Sequence, residues 1–89
     1  MPALLSESDL PDPVDATAVF AFAMSFDGYK YYGSLEKSSA VAKQKSRETL
    51  AELRNELFFA ARASRHAGSN RYLETYRELL PLFRAQLQL

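Results

Sequence analysis

The chain has 89 residues, 47% of them hydrophobic and 25% charged, which is ordinary for one folded domain and excludes wholesale disorder. Cysteine is absent, which excludes disulfides and thiolate chemistry, and no apolar run approaches the ~20 residues of a membrane helix. Eleven Lys and Arg residues balance eleven Asp and Glu residues. A small secreted domain usually needs disulfides, so we expect a cytoplasmic protein without a signal peptide.

The first fifteen residues differ from the rest of the chain. Residues 1–15 contain three of the four prolines, which remove backbone donors and restrict the preceding residue. The sequence therefore predicts a disordered N-terminal arm over 1–15 and a single α+β domain over 16–89. Residues 1–28 also carry five acids and no Lys or Arg, which fits either a solvated tail or a segment that docks on the basic helices.

A β-hairpin is predicted after this arm. Residues 18–26 alternate large and small side chains, and Asp27-Gly28 is a typical type I′ turn before the tyrosine-rich run 29–33. The register places the large side chains on one face, which then carries Phe20, Phe22, Met24, Phe26, Tyr29 and Tyr31. The opposite face is small and semi-apolar, with Lys30 as its one charge.

Helices are predicted for the remainder. Residues 35–45 favour a short helix that merges with the next one or bends away from it, and residues 46–67 carry leucines at three- and four-residue spacing. A further helix is predicted over 70–88, with a kink or break at Pro81. The short link between the last two helices makes them antiparallel neighbours, so the predicted order is ββααα. The predicted core is Phe20, Phe22, Met24, Phe26, Leu50, Leu53, Leu57, Leu73, Tyr76, Leu80 and Phe83.

The sequence offers no pattern for catalysis, for a metal or for another cofactor. Its single histidine, His66, ends a predicted helix, and there is no cysteine to complete a zinc site. Glu48, Glu52 and Glu56 stand four residues apart beside basic residues, which is typical of a solvated helix face. Neither a nucleophile elbow nor a phosphate-binding loop is present. We therefore expect a protein that is not an enzyme and needs no cofactor.

The predicted hairpin is the first candidate binding feature, because both of its edges are open and its second face is too apolar for solvent. That face makes Val19, Ala23, Lys30 and Tyr32 candidate partner-binding residues. A short helix, the N-terminal arm, a second copy of the chain or a different protein could cover it. Strand pairing between copies would give a homodimer through the hairpin.

A basic helix surface is the second candidate. Its candidate residues for nucleic-acid binding are Lys43, Lys45, Arg47, Arg62 and Arg65. The neighbouring glutamates and a pI of about 6.6 weaken this interpretation, because a dedicated nucleic-acid-binding domain usually has a pI above ~9. The sequence thus favours a small cytoplasmic protein-interaction or regulatory module without catalytic activity. The alternative is a nucleic-acid-associated protein that uses the Arg/Lys helix face.

Overall fold

The fold is helical. The computed structural model describes residues 3–4, 6–27, 31–32 and 40–88. Within this part of the chain the α-helices are α1 (Ala16–Ser25), α2 (Ala40–His66) and α3 (Tyr72–Gln88). The two-residue segments β1 (Ala3–Leu4) and β2 (Tyr31–Tyr32) pair in parallel, with Ala3 opposite Tyr31 and Leu4 opposite Tyr32.

The predicted α+β fold with an N-terminal β-hairpin is wrong, because the segment expected to form its first strand is α1. The Asp15 side chain caps this helix by accepting a 3.1 Å hydrogen bond from the backbone N–H of Ala18. Alanine, the strongest helix former, recurs through the segment. Gly28 of the predicted Asp27-Gly28 turn lies outside the described residues, and Tyr31–Tyr32 pairs with β1 instead of with residues from α1.

The helical period also changes which residues of α1 share a side. Val19, Phe22, Ala23 and Phe26 follow one another by three, one and three residues, as the buried side of a helix does, and all four are buried. The even-numbered large residues do not share one face, as the hairpin required. Two of them, Phe20 and Met24, are only partly buried at the edge of the core.

Helices α2 and α3 pack against each other in antiparallel orientation. Ser46, near the start of α2, donates a 2.8 Å hydrogen bond to the side-chain oxygen of Gln86, near the end of α3. Between the helices, Gly68 adopts a φ of +70°, and the backbone N–H of Ser69 donates to the carbonyl oxygen of Ser64 at 2.8 Å. This is the hydrogen-bond pattern of a glycine-ended helix, and it turns the chain back on itself.

The helix bounds differ from the predicted ones. Residues 40–45 of the predicted short helix form the first turns of α2, and residues 35–39 lie outside the described part of the chain. Pro81 lies inside α3 and does not divide it. The exposed position of Pro81 allows water to solvate the backbone carbonyl that loses its helical donor.

The core lies where the three helices meet. Its largest fully buried side chains are Val19, Leu50, Leu57, Tyr76 and Phe83. The Phe22 ring packs edge-on against Tyr76 and Phe83, with ring centroids 6.1 and 5.5 Å away. These aromatic contacts join α1 to α3, so α1 closes one side of the α2–α3 pair.

Residues 6–15 lie on α3 in the structure. A 3₁₀ turn at Glu7–Asp9 precedes Leu10, which packs against the core. The buried Tyr76 hydroxyl donates a 2.7 Å hydrogen bond to the carbonyl oxygen of Pro11, and the Arg84 guanidinium pairs with Glu7 at 2.8 Å. The Pro11 carbonyl, which belongs to no helix or strand, is thus satisfied by an α3 side chain.

Candidate binding surface

Metal-ligating side chains are not clustered in the described part of the chain. No group of three or more His, Asp or Glu side chains there could hold a metal ion. None of the helices in these ranges has the length and apolar content that crossing a membrane requires.

A surface with an exposed aromatic side chain lies where α1 meets the second half of α2. Phe59 projects from α2 with 66% of its surface exposed, and the neighbouring Phe58 is half-buried, with its ring 5.6 Å from that of Phe59. Phe20 and Met24 of α1 line the same groove, which is open to solvent. A large aromatic side chain on the solvent side of a helix raises the apolar content of one local patch.

Arginines surround these aromatic rings. The guanidinium carbon of Arg54 lies 4.4 Å from the centroid of the Phe58 ring, and that of Arg62 lies 5.6 Å from it. Arg65 approaches the Phe20 ring at 5.3 Å. Each distance is within the ~6 Å range of cation–π attraction. We call this group the arginine–phenylalanine surface: Phe20, Arg54, Phe58, Phe59, Arg62 and Arg65.

Arg54 anchors the surface to the core. One of its terminal nitrogens donates a 3.0 Å hydrogen bond to the carbonyl oxygen of Met24 in the last turn of α1. A cation there interacts favourably with the negative end of the helix dipole. Arg62 and Arg65 are instead exposed, and no carboxylate of the described residues forms an ion pair with either of them.

Acidic side chains occupy the other end of the same face of α2. Glu48 and Glu52 border a second open groove, together with Asp27 at the end of α1. Both glutamates are exposed, and Glu48 accepts a 3.3 Å hydrogen bond from Gln44. The face of α2 thus changes from acidic to basic along its length, with Phe59 between the two regions.

The predicted hairpin site is not assembled. Val19 and Ala23 have no exposed surface and belong to the core. Lys30 lies outside the described residues. Tyr32 belongs to β2, and its side chain is also outside the described part. The apolar character that suggested an uncovered hairpin face therefore reflects burial in a helix.

The basic candidates separate into two groups. Lys43, Lys45 and Arg47 lie near the start of α2, where Lys45 is exposed, Arg47 is partly buried, and the Lys43 side chain is not among those described. Arg62 and Arg65 lie at its other end, about 25 Å from Lys45 along the helix axis. One continuous basic surface is therefore not formed by these residues.

The sequence reasoning placed Arg54 with Arg62 and Arg65 on one basic helix face but overlooked Phe58 and Phe59 as functional candidates. The available signal was the position of Phe59, which departs from the leucine stripe of α2 by roughly half a helical turn. An aromatic residue on that side, with arginines three and five residues away, indicates an aromatic–basic surface.

No protein-family model, curated protein or solved structure matches the chain.

Proposed function

We propose that this chain is a small cytoplasmic protein-interaction module without catalytic activity, and that the arginine–phenylalanine surface is its contact surface. The observation that carries the proposal is the exposure of Phe59 beside arginines whose guanidinium groups lie over neighbouring rings. Aromatic residues and arginine are enriched in protein interfaces and dominate their binding energy.

The contacts already present support a preorganised surface. Arg54 is fixed by its hydrogen bond to Met24, and the guanidinium groups of Arg54 and Arg62 both lie over the Phe58 ring, 4.4 and 5.6 Å from its centroid. Side chains held in this way lose less conformational freedom when a partner binds. Phe59 supplies apolar area, and Arg62 and Arg65 supply charge that selects acidic groups on the partner.

The test is affinity capture from native lysate with the tagged wild-type chain and a Phe59→Asp variant. Leu82→Asp is the matched control, because Leu82 is a half-exposed apolar residue of α3 that does not belong to the arginine–phenylalanine surface. We expect protein partners that the wild type and Leu82→Asp retain after nuclease treatment and that Phe59→Asp loses. Equal retention by all three chains would contradict the proposal.

Nucleic acid is the second candidate ligand, because an exposed aromatic ring beside arginines is also a stacking platform. The exposed glutamates on the same helix and the zero net charge weaken it. Phosphate binding weakens steeply with salt, so fluorescence anisotropy with a labelled single-stranded oligonucleotide at two salt concentrations separates the candidates. Salt-sensitive binding that Arg62→Glu abolishes would favour nucleic acid.

A further inference from the structure

A regular stripe of exposed side chains runs along α2 through both charged regions. Its members alternate in steps of four and three residues, and all are exposed: Glu48, Glu52, Asn55, Phe59, Arg62 and His66. This is the spacing with which one helix presents a continuous seam to another helix. The seam faces away from the core, whose α2 members include Leu50, Leu53 and Leu57.

The charge pattern of this stripe is complementary to that of a second copy of the stripe running in the opposite direction. If a second α2 lies antiparallel across it, Glu52 faces Arg62 of the other copy, and Glu48 faces His66. The same register places Asn55 opposite Phe59. The two Phe59 side chains then lie about 6 Å apart along the helix axis, close enough for their rings to contact near the two-fold axis.

We propose that the occupant of this surface is a second copy of the chain, bound through an antiparallel pairing of the two α2 helices. The inference rests on the proposed function, because it names the partner of the same surface. A two-fold dimer needs a patch that matches itself after rotation, and the acid-to-base order of the stripe meets this condition.

Charge supports a second copy over an unrelated protein. The chain has a net charge of zero, so two copies experience no overall repulsion as they approach. The glutamates of the stripe are four residues apart, and like charges at that spacing repel each other. An opposing Arg62 from the other copy relieves this repulsion. If the helices paired in parallel, acidic residues would face acidic residues and this pairing of opposite charges would be lost.

The test is sedimentation equilibrium with the full chain and two charge-reversal variants, Glu52→Arg and Arg62→Glu. In a homodimer, either change places like charges opposite each other at two symmetric points. We expect each variant alone to dimerise about tenfold more weakly than the wild type, given the usual strength of exposed ion pairs. An equimolar mixture of the two variants restores opposite charges at both points and should recover wild-type dimerisation.

The control is Arg77→Glu, which reverses an exposed arginine of α3 and should leave dimerisation unchanged. Circular dichroism confirms that each variant is folded. A wild type that stays monomeric at high concentration, variants that each dimerise as strongly as the wild type, or a mixture that does not recover wild-type dimerisation would each overturn the inference. If the inference fails while Phe59-dependent capture of another protein persists, the proposed function stands; if both fail, both are overturned.

Discussion

The hydroxyl of Tyr76 donates a 2.7 Å hydrogen bond to the carbonyl oxygen of Pro11 and so joins the first half of α3 to the N-terminal segment. Tyr76→Phe removes this bond and keeps the packed ring, at an expected cost of about 1 kcal/mol in urea unfolding. Tyr72→Phe is the matched control, since the Tyr72 hydroxyl donates to Ala16 at 3.0 Å. Faster hydrogen exchange at Leu10 should appear in Tyr76→Phe alone, and equal exchange in both variants would contradict this attachment.

The same hydroxyl makes stability depend on alkaline pH. Burial raises the pKa of Tyr76 from 10.0 to about 12; the nearby Arg84 lowers it in part, and Glu7 and Asp12 raise it further. Above pH 10 the unfolded chain releases this proton while the folded chain keeps it, so stability is complete below pH 10 and falls as the pH rises towards 12. The loss attributable to Tyr76 at pH 11 is about 1 kcal/mol.

Urea unfolding at pH 9 and pH 11 measures this loss. The decrease in unfolding free energy between the two conditions should be smaller in Tyr76→Phe than in the wild type by that amount. Identical decreases would show that the Tyr76 hydroxyl is not shielded from solvent.

The packing of α1 is tested by Phe22→Ala. Phe22 contacts Phe26, Tyr76 and Phe83, with ring centroids 4.6 to 6.1 Å away. Truncation of a buried phenylalanine leaves a cavity and should cost about 3–5 kcal/mol in denaturant titration. Phe59→Ala makes the same chemical change on the surface and should stay within about 0.5 kcal/mol of the wild type. A loss under about 1 kcal/mol for Phe22→Ala would argue against this core.

The helical state of α1 is tested at its cap. Asp15→Ala removes the acceptor for the Ala18 N–H and should destabilise the chain by about 1 kcal/mol. Asp15→Asn keeps an oxygen acceptor and should retain most of the stability, because asparagine caps helices as well as aspartate does. A strand at this position would respond equally to the two substitutions, so the difference between them in thermal or urea unfolding is the diagnostic result.

Arg54 is expected to require its planar guanidinium group. Arg54→Lys keeps the charge but loses the geometry that lets one group cover the Phe58 ring and donate to the Met24 carbonyl. We expect a loss of about 1 kcal/mol and faster hydrogen exchange in the last turn of α1. Arg62→Lys is the control, since Arg62 is exposed and makes no such backbone contact among the described residues. An equal effect of the two substitutions would contradict the anchoring role of Arg54.

Helices α2 and α3 could be anticipated from the sequence because each has one apolar stripe and a polar opposite side. Leu50, Leu53 and Leu57 follow the helical period and are buried, as are Tyr76 and Phe83 in α3. Tertiary packing and local helix propensity agree in these segments, so the spacing of the apolar residues was sufficient to predict both helices.

Helix α1 was missed because the same residues fit both the two-residue period of a strand and the 3.6-residue period of a helix. Large residues at positions 20, 22, 24 and 26 fit a strand, whereas Val19, Phe22, Ala23 and Phe26 fit a helix equally well. Apolar residues occur on all sides of α1, so amphipathic contrast is weak. The capping Asp15 and the repeated alanines were the discriminating signals.

The binding surface was only partly accessible to sequence reasoning. Arg62 and Arg65 were candidates because charge can be read from residue identity. The contact of Arg65 with the Phe20 ring depends on the packing of α1 against α2, because the two residues are 45 positions apart in the chain. No local pattern specifies that contact, since it arises only after α1 is known to be a helix.

The continuity of α2 has an electrical consequence. An unbroken helix holds Glu48 and Arg62 about 21 Å apart, more than twice the Debye length of ~8 Å at physiological ionic strength. Charges separated in this way do not neutralise each other within one molecule. The acidic and basic regions of this face therefore remain oppositely charged although the net charge of the chain is zero, and solubility near neutral pH should rise when salt is added.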